Sequence, residues 1–152
     1  MKNIHTIFNN NKIYHYLPTE VKLIEGLVEG MLDAKTVVFY SVKNNEKLSA
    51  EDKSFLLKLL GAVQHNLDNS LLINNTSKIQ FNKVKALGNV ERIIFFGSTR
   101  KDLAINLDIK RYKRYQINNV DCLFVDRLDV LKDDKKRKSV LWGLMKEMFK
   151  TL

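Results

Sequence analysis

Hydrophobic positions along this chain switch between two rhythms, one of helical spacing and one of short continuous runs. After Pro18, Thr19 stands as the cap of a helix whose apolar residues Val21, Ile24, Leu27, Val28, Met31 and Leu32 recur at three- and four-residue intervals. Gly26 and Gly30 fall inside that helix, four apart, as small-residue contacts in a soluble core. Thr36 to Val42 is then a β-branched and aromatic run of strand length, apolar on both faces as an interior strand is. Beyond a polar loop, Ser49-Ala-Glu-Asp52 resembles a capping box, and Phe55, Leu56, Leu59, Leu60 and Val63 give the helix it opens a core-facing stripe. Leu71 to Ile73 predicts a second strand, and Thr76-Ser77 caps a short helix through Leu87. Arg92 to Gly97 predicts a third buried strand and Cys122 to Val125 a fourth. Arg111 to Ile117 fits an edge strand or an irregular segment. A short helix near Leu128 to Leu131 and a longer one from about Asp134 complete the pattern.

Strands separated by helices imply crossover connections and parallel pairing. The order therefore predicts an α/β fold, a three-layer α/β sandwich with a largely parallel central sheet of about four strands. It would form one domain over residues 19–152. Residues 1–18 form a tail, with the Asn-rich stretch Asn9 to Lys12 as a turn or link.

Composition adds limits. A chain of 152 residues is the size of one domain with one core. No apolar run approaches the roughly 20 residues that cross a bilayer, and the first residues lack the apolar core of a signal peptide. Cys122 is the one cysteine, so no internal disulfide forms. These observations predict a cytoplasmic protein away from membranes. The formal net charge is +9, and its cations crowd between Arg100 and Lys138. Charge of this sign favours nucleic acid or acidic proteins as partners, and it equally serves solubility.

Candidate chemistry is sparse. His5, His15 and His65 have no metal-ligand spacing, and Cys122 lies mid-strand, where a thiol is a small hydrophobe. Glu51, Asp52, Asp133 and Asp134 sit at helix starts, where the helix dipole accounts for them. No catalytic residue, metal, cofactor or small-molecule substrate is expected. The loop Phe96-Gly-Ser-Thr-Arg-Lys101 offers a glycine, hydroxyls and the cations Arg100 and Lys101, a combination able to hold a phosphate, although a plain polar turn fits it as well. Lys110-Arg-Tyr-Lys-Arg-Tyr115 interleaves cations with aromatics, which makes Arg111, Lys113 and Arg114 candidates for contact with single-stranded DNA. Strand pleating would place Arg111, Lys113 and Tyr115 on one face and Tyr112 and Arg114 on the other, so an edge guarded by charge explains the same letters. Trp142 lies in an apolar helix stripe with Val140, Leu141, Leu144, Met145, Met148 and Phe149 that is mostly core and has surface to spare for a partner. Ile4, Ile7, Phe8, Tyr14 and Tyr16 in the tail form a candidate partner-binding segment, or an added edge strand.

Three features together resemble the psi subunit of the bacterial DNA polymerase III holoenzyme. They are the helix start at Ser49 with its leucine stripe through Leu60, the strand ending in Phe96-Gly97, and the spacing from Leu128-x-x-Leu131 across a basic gap to Leu141-Trp142. The resemblance covers about residues 35–149. It implies an α/β sandwich with topology related to uracil-DNA glycosylases but without their activity. It also implies a non-catalytic adaptor that joins clamp-loader subunits, through its N-terminal tail, to a chi-like protein. Where that family's tail carries a tryptophan-containing segment, this chain has Ile4, Ile7, Phe8, Ile13, Tyr14, Tyr16 and Leu17.

Overall fold

The computed structural model describes residues 28–42, 47–75, 81, 89–99 and 101–150. Its elements in chain order are β1 (Val28–Gly30), β2 (Thr36–Tyr40), α1 (Ala50–Ala62), β3 (Ser70–Asn74), β4 (Arg92–Phe96), β5 (Lys113–Ile117), β6 (Val120–Val125), α2 (Leu128–Leu131) and α3 (Lys135–Met148). The strands form one mixed sheet of order β1-β3-β2-β4-β6-β5. β3, β2, β4 and β6 are parallel, as the apolar runs predict, while β1 and β5 add antiparallel edges. The sheet thus has six strands rather than about four.

The pleat sorts the strand residues into two cores. Val37, Phe39, Leu71, Ile73, Ile93, Phe95, Cys122 and Phe124 face one side, and Val38, Leu72, Ile94, Phe96, Leu123 and Val125 face the other. On the first side a ladder of rings crosses the sheet: Phe39 stacks on Phe95 at 5.4 Å, and Phe95 stacks on Phe124 at 4.5 Å. Among the described residues, Met31, Leu32, Ala34, Phe81 and Leu103 cover that side. The other side is covered by α1, α2 and α3 through Leu56, Leu60, Leu128, Leu131, Leu141, Met145 and Met148. Of the two helices expected over the first side, residues 19–27 and most of 76–87 lie outside the described residues.

The helix expected to run from Thr19 to Leu32 is overturned at its end, where β1 forms instead. Val28 pairs with Ile73 and Gly30 with Leu71, and the Met31 N–H donates to the Ser70 carbonyl at 3.0 Å. Gly30 holds φ at +103°, and a Cβ there would run into the Ser70 carbonyl oxygen. The glycine is required by the close approach of two strands, not by helix packing. At the opposite edge, Asn118 and Asn119, with φ of 51° and 67°, make the two-residue turn whose twist suits a hairpin. That turn makes Lys113 to Ile117 a true strand.

Both long helices begin at the carboxyl ends of the parallel strands and run back to the amino ends. Ser49 caps α1 by accepting the Asp52 N–H at 3.1 Å, and Asp134 caps α3 by accepting the Arg137 N–H at 3.0 Å. At the amino ends lies a buried polar cluster. Arg92 donates to the Thr36 hydroxyl at 3.0 Å and sits 5.1 Å from the Phe149 ring centroid. His65 Nδ1 donates to the Val63 carbonyl at 2.8 Å, so Nε2 is left to meet the Thr36 hydroxyl at 3.3 Å. None of the helices among the described residues is long and apolar enough to cross a membrane.

Candidate nucleic-acid interface

Asp126 directly follows β6, and three donors from two separate stretches of the chain converge on its carboxylate. The Arg111 guanidinium and the Tyr112 hydroxyl both hydrogen-bond to it. Arg137, in the first turn of α3, places Nη1 3.1 Å from Asp126 Oδ2 and Nε 3.3 Å from Asp134 Oδ2. The start of α3 is thereby fastened to the segment that leads into β5.

A local irregularity makes this possible. Tyr112 has φ of 61° and donates its N–H to the Phe124 carbonyl at 2.7 Å, although Phe124 already has Lys113 as its register partner. Two residues facing one is a β-bulge, which breaks the alternation of side chains. Arg111 consequently turns to Asp126 with Tyr112, rather than sharing a face with Lys113 and Tyr115 as pleating alone would dictate. Within β5 the pleat holds. Tyr115 packs edge-on against Phe124 at 6.1 Å, and its hydroxyl accepts the Lys110 N–H at 2.7 Å. Lys113 Nζ lies 5.5 Å from the Tyr115 ring centroid. Arg114 points to the α3 side and grips Asp121 with two nitrogens, Nε at 3.2 Å from Oδ1 and Nη2 on Oδ2.

Burial alone would raise the Asp126 pKa. The bonds from Tyr112 and Arg111, with the charges of Arg111 and Arg137, outweigh it and hold the carboxyl below its ordinary range. Tyr112 is pushed up to about 12, first by burial and then by its bond to the Asp126 carboxylate.

Pairing takes up every described arginine but only some of the lysines, among them Lys35, Lys53 and Lys132. Among the described residues, every arginine has an acidic partner: Arg92 with Glu91, Arg111 and Arg137 with Asp126, Arg114 with Asp121, and Arg127 with Asp129. Lys101, Lys110, Lys113, Lys135, Lys136 and Lys138 make no ion pair among those residues. Around Asp126 one carboxylate meets two guanidiniums, and exposed lysines flank them on both chain segments. Lys135 to Lys138 also occupy the first turn of α3, where the helix dipole opposes positive charge.

Other expected sites fare differently. Thr99 donates its N–H to Asp102 Oδ2 at 3.1 Å and accepts the Asp102 N–H at 3.3 Å, so the loop after Gly97 is a self-closed polar turn. The Asp102 carboxylate takes the N–H that a phosphate would need. Lys101 is exposed, and Arg100 lies outside the described residues, as do Ile4, Ile7, Phe8, Tyr14 and Tyr16. Trp142 is half-buried against the helix-side core, with Lys146 Nζ 5.3 Å from its ring centroid. Cys122 is fully buried and its thiol is pushed up to about 12 by burial, then by Asp121. A hollow beside the carboxyl end of β2, lined by Ser41, Lys47, Ser49 and Asp129, holds about 170 Å³. That is below the roughly 300–1,000 Å³ of ordinary small-molecule pockets. No group of three or more His, Cys, Asp or Glu side chains among the described residues is placed to hold a metal ion.

Sequence reasoning passed over Asp126 and Arg137. An acid just after a buried strand and an arginine one turn into a helix carry no spacing rule that joins them. Their meeting with Arg111 depends on the bulge at Tyr112. In comparisons with known proteins, no protein-family model matches this chain, and no curated protein is detectably similar to it.

Proposed function

We propose that this chain is a non-catalytic adaptor of the DNA replication machinery, a psi-like subunit that links the clamp loader to another replisome protein in the cytoplasm. On this reading its fold is a three-layer α/β sandwich related in topology to uracil-DNA glycosylases. The observation that carries the reading is the closing helix pair. Leu128, Leu131 and Leu141 are at most 1% exposed and share one core cluster, while the neighbouring Trp142 stays half-buried. That burial is compatible with the Leu128-x-x-Leu131 to Leu141-Trp142 spacing on which the resemblance rests. The four parallel strands support it more weakly, since many α/β proteins share them. The mechanism is linkage: a tail segment engages one partner and the folded domain another, raising effective concentration without chemistry.

Affinity purification of the tagged full-length chain from its host, with nuclease present, tests this reading beside a bait lacking residues 1–18. Clamp-loader subunits recovered by the full bait and lost on truncation are the expected result. Absence of every replisome protein from both baits overturns the adaptor. A second reading, a nucleic-acid-binding α/β domain, draws on the convergence of Arg111 and Arg137, each from a basic run, at Asp126. It expects binding that weakens steeply with salt.

A further inference from the structure

We propose that Asp126 assembles a phosphate-binding face for a nucleic-acid backbone, joining the β5 lead-in (Lys110, Arg111) to the first turn of α3 (Lys135, Lys136, Arg137). This inference rests on the nucleic-acid reading and adds to it a positioning residue and a second strip of cations. In sequence the two strips are separated by the whole of β6 and α2. In the fold they meet because Arg111 and Arg137 share one carboxylate, with Tyr112 as a third donor.

One carboxylate cannot saturate two guanidiniums. Each has five N–H donors, and Arg111 has one bond to Asp126. Arg137 spends Nη1 on Asp126 and Nε on Asp134. The remaining N–H groups sit on side chains already held in place, so a phosphate oxygen binds them with little further loss of side-chain freedom. Both arginine side chains are about half exposed, at 42% and 48%, within reach of a ligand. Lysines without ion pairs among the described residues lie on either side and extend the charge.

A phosphate backbone fits this face better than an acidic protein. Protein interfaces need an apolar, aromatic core. Here Tyr112 and Tyr115 are half-buried with their hydroxyls engaged, which leaves a surface of cations with few free rings. The same fact argues against base stacking, so binding should be indifferent to sequence and governed by salt.

The test measures fluorescence anisotropy of a labelled 20-nucleotide oligo-dT and a 20-base-pair duplex against the full-length chain, with poly-glutamate as competitor. With about four phosphate contacts, single-strand affinity should fall about 50-fold between 50 and 200 mM KCl. Reversing Lys135→Glu and Lys136→Glu together should weaken binding at least about tenfold more than the same charge change at Lys58 and Lys150. The deciding variant is Asp126→Asn. It adds positive charge, so a protein held to DNA by net charge alone would bind more tightly, whereas an Asp126-built face should bind about fivefold to tenfold more weakly. Arg111→Ala and Arg137→Ala give the same answer without touching Asp126: each should weaken binding several-fold more than Lys58→Ala. Tighter binding by Asp126→Asn, or equal losses at Arg111, Arg137 and Lys58, overturns the inference but leaves the nucleic-acid reading standing. Absence of oligonucleotide binding at 50 mM KCl, or poly-glutamate bound as tightly as DNA, overturns both.

Discussion

Two clusters tie α3 to the sheet, one at each end of the helix, and they solve opposite problems. At the amino ends of the strands, Arg92 is 8% exposed, hydrogen-bonded to Thr36 and stacked over Phe149 just past the helix. At the carboxyl ends, Asp126 gathers Arg111, Tyr112 and Arg137 at the surface. The first is a buried cation closed off by an aromatic ring and a hydroxyl, so its removal is felt as stability. The second is a carboxylate shared by two guanidiniums, one of which also pairs with Asp134, so N–H donors that neither acid takes up face solvent. Similar residue types thus give a structural fastening at one end and an accessible charged face at the other.

The largest expected effect comes from breaking the buried cluster. Arg92→Ala removes a charged hydrogen bond and the contact with Phe149, and leaves the Thr36 hydroxyl with His65 alone. A loss of about 3 kcal/mol is expected, from about 1.5–3 for the charged bond plus about 1 for the ring contact. Urea unfolding would register it as a lower midpoint at unchanged slope. A loss under about 1 kcal/mol would mean that Arg92 is tolerated there rather than used, and the contrast between the two ends would collapse.

At the other end the caps matter more than the ion pairs. Asp134→Ala removes the N-cap of α3 and one partner of Arg137, and should cost about 1 kcal/mol. Arg111→Ala should cost less, within about 0–1 kcal/mol, because its side chain is 42% exposed and exposed pairs contribute little. If Arg111→Ala were as damaging as Arg92→Ala, the Asp126 cluster would be a second structural fastening and its exposed N–H donors incidental.

The same contrast marks what could be read from the sequence. The parallel core was legible because buried strands leave continuous apolar runs such as Arg92 to Gly97, and α1 announced itself through Ser49 and a leucine stripe. α3 was equally plain from Asp134 onward. β1 was not legible: Val28 continues a helical spacing that begins at Val21, and only its pairing with β3 and the positive φ of Gly30 decide otherwise. At the candidate site, Lys110 to Tyr115 was conspicuous by composition. Lys113, Arg114, Tyr112 and Tyr115 took the faces that pleating predicts, but Arg111 did not, because the bulge at Tyr112 depends on a partner strand, and Arg137 was hidden inside a basic run with nothing to single it out. Local signals report elements, whereas the convergence on Asp126 is a property of the assembled sheet.

The smallest expected effect is also the most specific to the carboxyl end. Tyr112 is raised from 10.0 to about 12, so its folded pKa lies above its unfolded value. A group shifted in that direction lends stability that is fully present below about pH 10 and is lost as pH rises through about 12. Asp126 is shifted the other way, so its contribution is present above the ordinary carboxylate range near 4 and is lost as pH falls through its lowered value. Absorbance at 295 nm should show Tyr112 and Tyr40 ionising late, near pH 12, since Tyr40 is also raised to about 12, by burial and then Glu29. Tyr112→Phe should delete one of these late steps and make thermal stability less dependent on pH between 10 and 12. Asp126→Asn should bring the Tyr112 step to lower pH, because the carboxylate that opposes the phenolate is gone. Were the late step to persist unchanged in Asp126→Asn, burial alone would account for Tyr112, and the hydroxyl would have no part in holding the basic face together.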